Sequence, residues 1–573
     1  MLPLEVFNQL PTAVNGSLGL SALVAALPLV LLFVLLGVFK APAWISALAT
    51  LVLCVILSIV GWAMPVGMSL SATALGIFFG LGQIMFLLIA ALWLYNTSVK
   101  FGWDRVLRDI MRGISDDLRV LSILVAFCFG ALIEGLAGFG TPVAITAAIM
   151  AATGMPKLKA AAVCMLANTA PVAYGSVGAP ITALGSSAVA LGDGNFQPAH
   201  LADVFGAMIG RQSPLMAIIV PFALLLMVDG KKGLKDCWHI ALVAGVSFAL
   251  AQYLTSNFVS YMITDLISSL FSLIVLVLVL RVAHPKHTML AEAEAEATEK
   301  LPAQSATGAA RMWGALAPYA IIIVLFGIAK IPAINTWLTA TLTPHSINTI
   351  TKKDQAGFIW PGLENCLNVT GKNFCVATNA NIWSIFSSGL ILAVSALILA
   401  AIYRMSLSTS FGVLGETIKT LRYTIITIAC VLGIAYIMNA SGMTLSLGQQ
   451  IAAVGTAFVF FSPILGWFGV ALTGSDTSSN ALFGGMQVAA AKTVWPDSVA
   501  HQVLAASTNS SGGVMGKMIS PQSLSVAAAA AGLLNKEGDI FRKVLPWSLG
   551  LLVIFALFIT LQGTALIGMV PLP

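Results

Sequence analysis

The chain has 573 residues, of which 58% are hydrophobic and only 9% charged, with a formal net charge of +6. So few charged side chains cannot wrap a soluble globule of this length, which places the chain in a bilayer. The basic residues lie in short stretches between apolar runs, so the positive charge carries topology information and is not the footprint of a nucleic-acid partner.

A spanning helix needs about 20 mostly apolar residues, and the runs at roughly 20–39, 43–63 and 71–98 qualify. The first nineteen residues hold no Lys or Arg and no small-residue cleavage pattern follows the first run, so that helix is expected to stay in place. Lys100, Arg105, Arg108, Arg112 and Arg119 make the next stretch basic, which puts it in the cytoplasm and the amino terminus outside. Residues 120–155 are apolar on both sides of the Gly135 to Gly140 cluster and lead to Lys157 and Lys159, again basic. The segment is expected to enter and return as a re-entrant hairpin, its tip tolerated only where protein or water surrounds it. A broken helix follows over 158–190, then spans near 204–228, 239–257 and 263–281. Ala/Glu-rich residues 291–310 read as a solvated linker. Spans near 313–332 and 382–403 flank a long polar outer loop, 333–381, and a further span covers 423–440. A second hairpin, 450–493, opens the opposite way, followed by a broken helix over 500–533 and a last span near 544–563.

The expected architecture is an all-α integral membrane protein with about 12 transmembrane helices plus two re-entrant hairpins, an inverted-repeat, ion-transporter-like fold with two broken helices. Residues 1–119 form amino-terminal helices, 120–282 the first repeat, 283–312 the linker, 313–440 helices with the outer loop, and 441–573 the second repeat.

Two stretches are worn copies of one another. One reads Asn168-Thr-Ala-Pro-Val-Ala-Tyr-Gly175-Ser-Val-Gly-Ala-Pro180 and the other Asn509-Ser-Ser-Gly-Gly-Val-Met-Gly516-Lys-Met-Ile-Ser-Pro521, with Asn, Gly and Pro at the same spacing. A duplicated pair of Gly/Pro-interrupted apolar segments points to a transporter's substrate site. Interrupting a helix frees N–H groups at one half-helix start and C=O groups at the other half-helix end, partial charges that hold an anion or a cation. Asn168, Thr169, Tyr174 and Ser176 in one copy, with Thr508, Asn509, Ser510 and Ser511 in the other, are the candidate substrate ligands. The hairpin tips add Thr141 from one side and Ser475, Thr477, Ser478 and Asn480 from the other. The competing reading is that Gly, Ser and Thr merely let helices pack closely; duplication, proline and polar content favour the site.

Intramembrane charges are rare and usually functional. Glu134 and Asp476 are candidate proton carriers, and Lys517 is either an ion-pair partner or a cation facing a substrate carboxylate. Arg211, about two turns inside its expected span, is a second candidate counter-ion, with snorkelling as its competitor. Lys330 reads as snorkelling and His501 as a polar interface residue. Cys54, Cys128, Cys164 and Cys430 lie in apolar runs as small filler. Cys366 and Cys375 share the outer loop and are either a disulfide or two thiols. Asn368-Val-Thr370 matches a glycosylation acceptor, a short pattern common by chance. No zinc spacing, phosphate-cradling loop or Ser/His/Asp arrangement occurs, so no metal, no cofactor and no enzyme activity are expected, and energy must come from an ion gradient unless a partner chain supplies it.

Glu134-Gly-Leu-Ala-Gly-Phe-Gly-Thr-Pro-Val-Ala144, the Ala167 to Pro180 cassette, Thr473-Gly-Ser-Asp-Thr-Ser-Ser-Asn480 and the Ser507 to Pro521 cassette resemble the bacterial L-lactate permease family. The likeness runs over nearly the whole chain. It implies a proton symporter for L-lactate, with D-lactate and glycolate, in the bacterial inner membrane, whose partners are small monocarboxylates, protons and membrane lipid. Two other readings stay open: a sodium-coupled carboxylate carrier, and a proton-translocating subunit of a respiratory complex.

Overall fold

The computed structural model describes residues 7–35, 39, 41–103, 106, 115, 117–136, 138, 140–188, 191, 196–282, 289, 309–329, 331–342, 345–347, 354–356, 360–363, 366–367, 382–533 and 536–573. The apolar runs fold as helices: α1 (Leu18–Phe33), α2 (Ala43–Val60) and α3 (Val66–Lys100), the last unbroken but π-helical over Gly80–Met85. Then come α4 (Leu118–Leu136) and α5 (Thr141–Ala152), which form the first hairpin, and α6 (Lys157–Ala167). Gly138 and Gly140 at its tip have φ of 53° and 84°, a conformation that only glycine adopts without strain.

The chain continues through α7 (Gly175–Ser187), α8 (Pro198–Ile209), α9 (Ser213–Phe258) and α10 (Tyr261–Leu280). The expected single span over 204–228 is instead interrupted. Gly210 caps α8 and Pro214 opens α9, so Gly-Arg-Gln-Ser-Pro is a helix stop followed by a start, and Arg211 sits in the turn. α9 itself reverses at Asp229 (φ −139°) and Gly230 (φ 60°). Arg119, buried at the base of α4, binds Asp117 at 2.8 Å and reaches Asp229 and Asp236 across that kink, both at 3.1 Å. This network fixes the first hairpin to α9.

The second half comprises α11 (Ala309–Ala329), α12 (Pro332–Leu342), α13 (Ile382–Ile402), α14 (Leu407–Ser441), α15 (Met443–Ile451), α16 (Phe458–Thr473), α17 (Asp476–Val494), α18 (Val499–Lys517), α19 (Pro521–Ala530) and α20 (Glu537–Gln562). α14 starts well before the expected 423, and the second hairpin, α16 and α17, is shorter than the expected 450–493. The fold is not purely helical. Phe7–Asn8 pairs in parallel with Cys366–Leu367, and His345–Ile347 pairs antiparallel with Asp354–Ala356. Cys375, Lys330 and Asn368-Val-Thr370 lie outside the described residues, as does the proposed Cys366–Cys375 bond. Cys54, Cys128, Cys164, Cys237 and Cys430 are buried and free.

Among the described residues, seven helices are long and apolar enough to cross a membrane, and α6 with the Val172–Ser187 segment makes an eighth, bent by 63°. The second cassette behaves differently from the first. α6 ends at Ala167, because Pro171 has no N–H for the helix ladder, and Ser176, Val177 and Gly178 then turn left-handed at φ of 47°, 56° and 74°. The equivalent of Pro171 is Gly512, so α18 runs straight through Asn509 to Lys517 and the chain breaks only at Met518–Ser520, ahead of Pro521. The break therefore falls at the end of the motif, inside the expected broken helix over 500–533. The glycines of that stretch serve close packing: a Cβ on Gly512 would meet the Pro463 carbonyl oxygen, and one on Gly516 that of Trp467, both on α16.

Candidate functional site

Two hairpin tips and two cassettes converge on one small cavity of about 30 Å³, lined by Glu134, Gly175, Ser176, Ser475, Asp476, Thr477 and Lys517 among others. Glu134 is in the last turn of α4 and Lys517 ends α18. They form a buried ion pair, Nζ to Oε1 at 2.8 Å, with Glu134 2% and Lys517 8% exposed. The other oxygen, Oε2, accepts from the Asn168 side-chain amide at 2.9 Å. Gly175 makes room for this arrangement, since a Cβ there would stand 2.6 Å from Glu134 Oε1. A buried carboxylate needs such partners, because burial of a charge is costly unless it is paired and hydrogen-bonded.

The facing wall is the amino end of α17. Gly474 at φ 73° ends α16, and the Ser475 hydroxyl caps α17 by accepting from Ser478 N at 3.2 Å. The first N–H groups of a helix have no partner within it and favour an anion. Asp476, at the first position of α17, accepts from the Ser510 hydroxyl at 2.6 Å through Oδ2, and its buried Oδ1 has no hydrogen-bond partner among the described residues.

Around the cavity the halves interlock. Asn480 Nδ2 donates to the Pro180 carbonyl at 3.1 Å, and the Ser187 hydroxyl donates to the Asn480 carbonyl at 2.7 Å, tying the second hairpin to the first cassette. Asn509 Nδ2 donates to Asn480 Oδ1 at 2.9 Å. Lys517 on Glu134 ties the first hairpin to the second cassette.

Thus Glu134, Ser176, Ser475, Asp476, Thr477 and Lys517 meet at the cavity, with Asn168, Ser478, Ser510 and Asn509 directly behind them. The remaining candidates go elsewhere. Tyr174 donates its hydroxyl to the Gly206 carbonyl at 2.8 Å, and Thr508 and Ser511 bond to Gln212 at 3.3 and 2.7 Å. Thr141 opens α5 outside the cavity lining, and the buried Thr169 hydroxyl has no partner among the described residues. Arg211 is not brought to the cavity: its guanidinium donates to Asn257 Oδ1 at 2.9 Å and to the Met569 carbonyl. His501 stacks on Trp495 with ring centroids 4.2 Å apart, and its ring nitrogens meet Ser498 Oγ and the Gly563 carbonyl.

The L-lactate permease family model matches residues 21–566. The chain belongs to the L-lactate permease family. It is 37% identical to the glycolate permease GlcA of Escherichia coli (strain K12), over 97% of this chain and 98% of that protein. It is 36% identical to an L-lactate permease of Bacillus subtilis (strain 168), over 99% and 100% of the two chains. Among solved structures it resembles the YdaH transporter of Alcanivorax borkumensis with a TM-score of 0.41 at 14% identity, over 87% of this chain and 89% of that one. The permease is accordingly a multi-pass membrane transporter rather than an enzyme. Its buried glutamines were not singled out in the sequence: Gln487 bonds to Ser462 and Asn509, and Gln212 to Thr508, Ser511 and Gln562. Gln487 is a lone amide inside an apolar helical run, which polar burial makes costly unless satisfied, whereas Gln212 stands beside Arg211 in the turn before α9 and carries no such signal.

Proposed function

We propose that this permease imports lactate, and glycolate with it, together with protons across the bacterial inner membrane. The observation that carries the reading is the buried Lys517–Glu134 pair facing the amino end of α17 across a cavity built from both halves of the chain. A monocarboxylate has one charge to satisfy, and one cation plus the free N–H groups of a helix start suit it. The small polar groups of Ser176, Ser475 and Thr477 suit the hydroxyl of a 2-hydroxy acid.

Proton coupling follows from charge. An anion entering this cavity brings a second negative charge against Asp476 and competes with Glu134 for Lys517, so it is far better tolerated with a proton than without one. The cavity is also small. One water needs roughly 10–15 Å³ of such space, so a three-carbon acid enters only as the hairpin tips part. Tips drawn from opposite halves that part alternately would give alternating access.

The test is radiolabelled lactate uptake by proteoliposomes holding the purified chain alone, with and without an inward pH gradient, in sodium and in choline. Uphill uptake that follows the pH gradient and ignores sodium is expected. Uptake that follows sodium at fixed pH would overturn the proton reading, and no uptake by the chain alone would overturn transport of lactate by it.

A further inference from the structure

Asp265 is a buried carboxyl outside the cavity lining. It stands near the start of α10, 1% exposed, and neither of its oxygens has a hydrogen-bond partner among the described residues. Buried polar atoms are almost always paired, and each exception calls for an explanation, catalytic use among them. Its place is specific. α10 packs directly on the first hairpin tip, where a Cβ on Gly135 would come within 3.1 Å of the Asp265 Cβ and 2.9 Å of Leu266 Cδ2. Gly135 is the residue after Glu134. Asp265 is therefore seated behind the tip whose carboxyl holds Lys517, with only a glycine between the two backbones.

The ionisable groups that reach it come from three other elements: Glu134 from α4, Lys517 from α18, and the Tyr174 phenol from the turn before α7. The phenol is already committed to the Gly206 carbonyl. Among the described residues the Lys517 ammonium bonds to Glu134 alone, yet its charge also bears on Asp265 and Asp476. One cation thus faces three buried carboxyls, and a proton on Asp265 removes one of the two uncompensated charges.

We propose that Asp265 is a second proton-binding carboxyl of the transport cycle, seated behind the first hairpin tip and coupled to the substrate through Glu134 and Lys517. The proton is taken from water on one side of the membrane and returned to water on the other. While Lys517 neutralises Glu134, Asp265 gives up its proton most readily; when a substrate carboxylate draws Lys517 away, Glu134 is left bare beside Asp265 and Asp265 binds a proton, so substrate and proton are taken up together. This role rests on the proton-coupled reading above.

The experiment uses Asp265→Asn in the full chain, reconstituted in proteoliposomes. Lactate counterflow without a gradient is expected to stay within about twofold of the unaltered protein, while accumulation driven by a pH gradient falls about tenfold or more, the split that separates binding from coupling. Asp265→Glu, which keeps the carboxyl, is expected to restore part of the accumulation. Unchanged accumulation in Asp265→Asn overturns the proposal. So does joint loss of counterflow and accumulation in both variants, which would make Asp265 a packing residue. Failure of the underlying reading is seen separately, as indifference of the unaltered protein to the pH gradient.

Discussion

Lys517 has one charge, which pairs with Glu134 and which, in the proposed function, an arriving carboxylate would also need. Removing one member of a buried pair costs about 3–5 kcal/mol because the other charge is left stranded. Lys517→Gln is therefore expected to lower the stability in detergent by an amount of that order, read as a fall in the unfolding midpoint, and to abolish lactate uptake. Combining it with Glu134→Gln is expected to restore most of the stability without restoring uptake; uptake regained in the double variant would refute a substrate role for the cation. Gly175→Ala tests the same pair from the backbone. Its Cβ would stand 2.6 Å from Glu134 Oε1, so the carboxyl must swing away from Lys517, and the KM for lactate is expected to change about tenfold while protein levels hold. Glu134, Asp476 and Lys517 are legible in the sequence, because glycines flank charges in otherwise apolar runs. Asp265 is not, since beside Thr264 at the start of an apolar run it reads as a water-facing end. The packing of α10 on Gly135 and on the neighbouring helices buries it. Arg211 is the reverse case: it counts as interior when the run from 204 is taken as one helix, and the Gly210 stop and Pro214 start move it into a turn.

Helices and breaks follow the same logic at the next scale. The hairpins are legible because glycine clusters interrupt long apolar stretches, and their turning points fall where Gly138, Gly140 and Gly474 take positive φ. The unequal breaks of the two cassettes are legible only residue by residue: shared Asn, Gly and Pro suggest the same break, while Pro171 against Gly512 decides otherwise. The left-handed turn of the first cassette is the strained part. Gly178 has φ 74°, and a Cβ there would stand 2.6 Å from the Tyr261 ring. An L-residue pays roughly 1–2 kcal/mol for that conformation before any clash, so Gly178→Ala is expected to lower thermal stability by at least that much. Gly412→Ala, in a helix with nothing within 4 Å of the added carbon, serves as the control and is expected to be neutral or slightly stabilising. Equal midpoints for the two variants would show that the left-handed turn is not needed.

Across the whole molecule the contacts are crossed, with each hairpin holding the other half's cassette. The tip of the first hairpin also meets α19, where an added Cβ on Gly140 would lie 3.8 Å from the Val526 Cβ, close to the mean separation of about 3.8 Å in disulfides. A Gly140→Cys, Val526→Cys variant is expected to cross-link on oxidation, to lose uptake while linked, and to regain it with reductant. Uptake that survives full cross-linking would mean that this tip does not part from α19 during transport. Such crossing is invisible to charge counting along the chain, which orders the spans but says nothing about which tip meets which helix.

The pairing of Glu134 with Lys517 also has a consequence for biogenesis. The two residues are 383 positions apart, so at roughly 5–20 residues per second the glutamate waits roughly 20–80 s in the membrane before its lysine is made. Throughout that interval Glu134 lacks the lysine that pairs with it, and the Glu134–Lys517 bond forms only once the polypeptide is nearly finished. A chain truncated just before Lys517 should therefore be cleared by membrane quality-control proteases faster than one truncated just before Glu537, a difference that pulse-chase labelling measures directly.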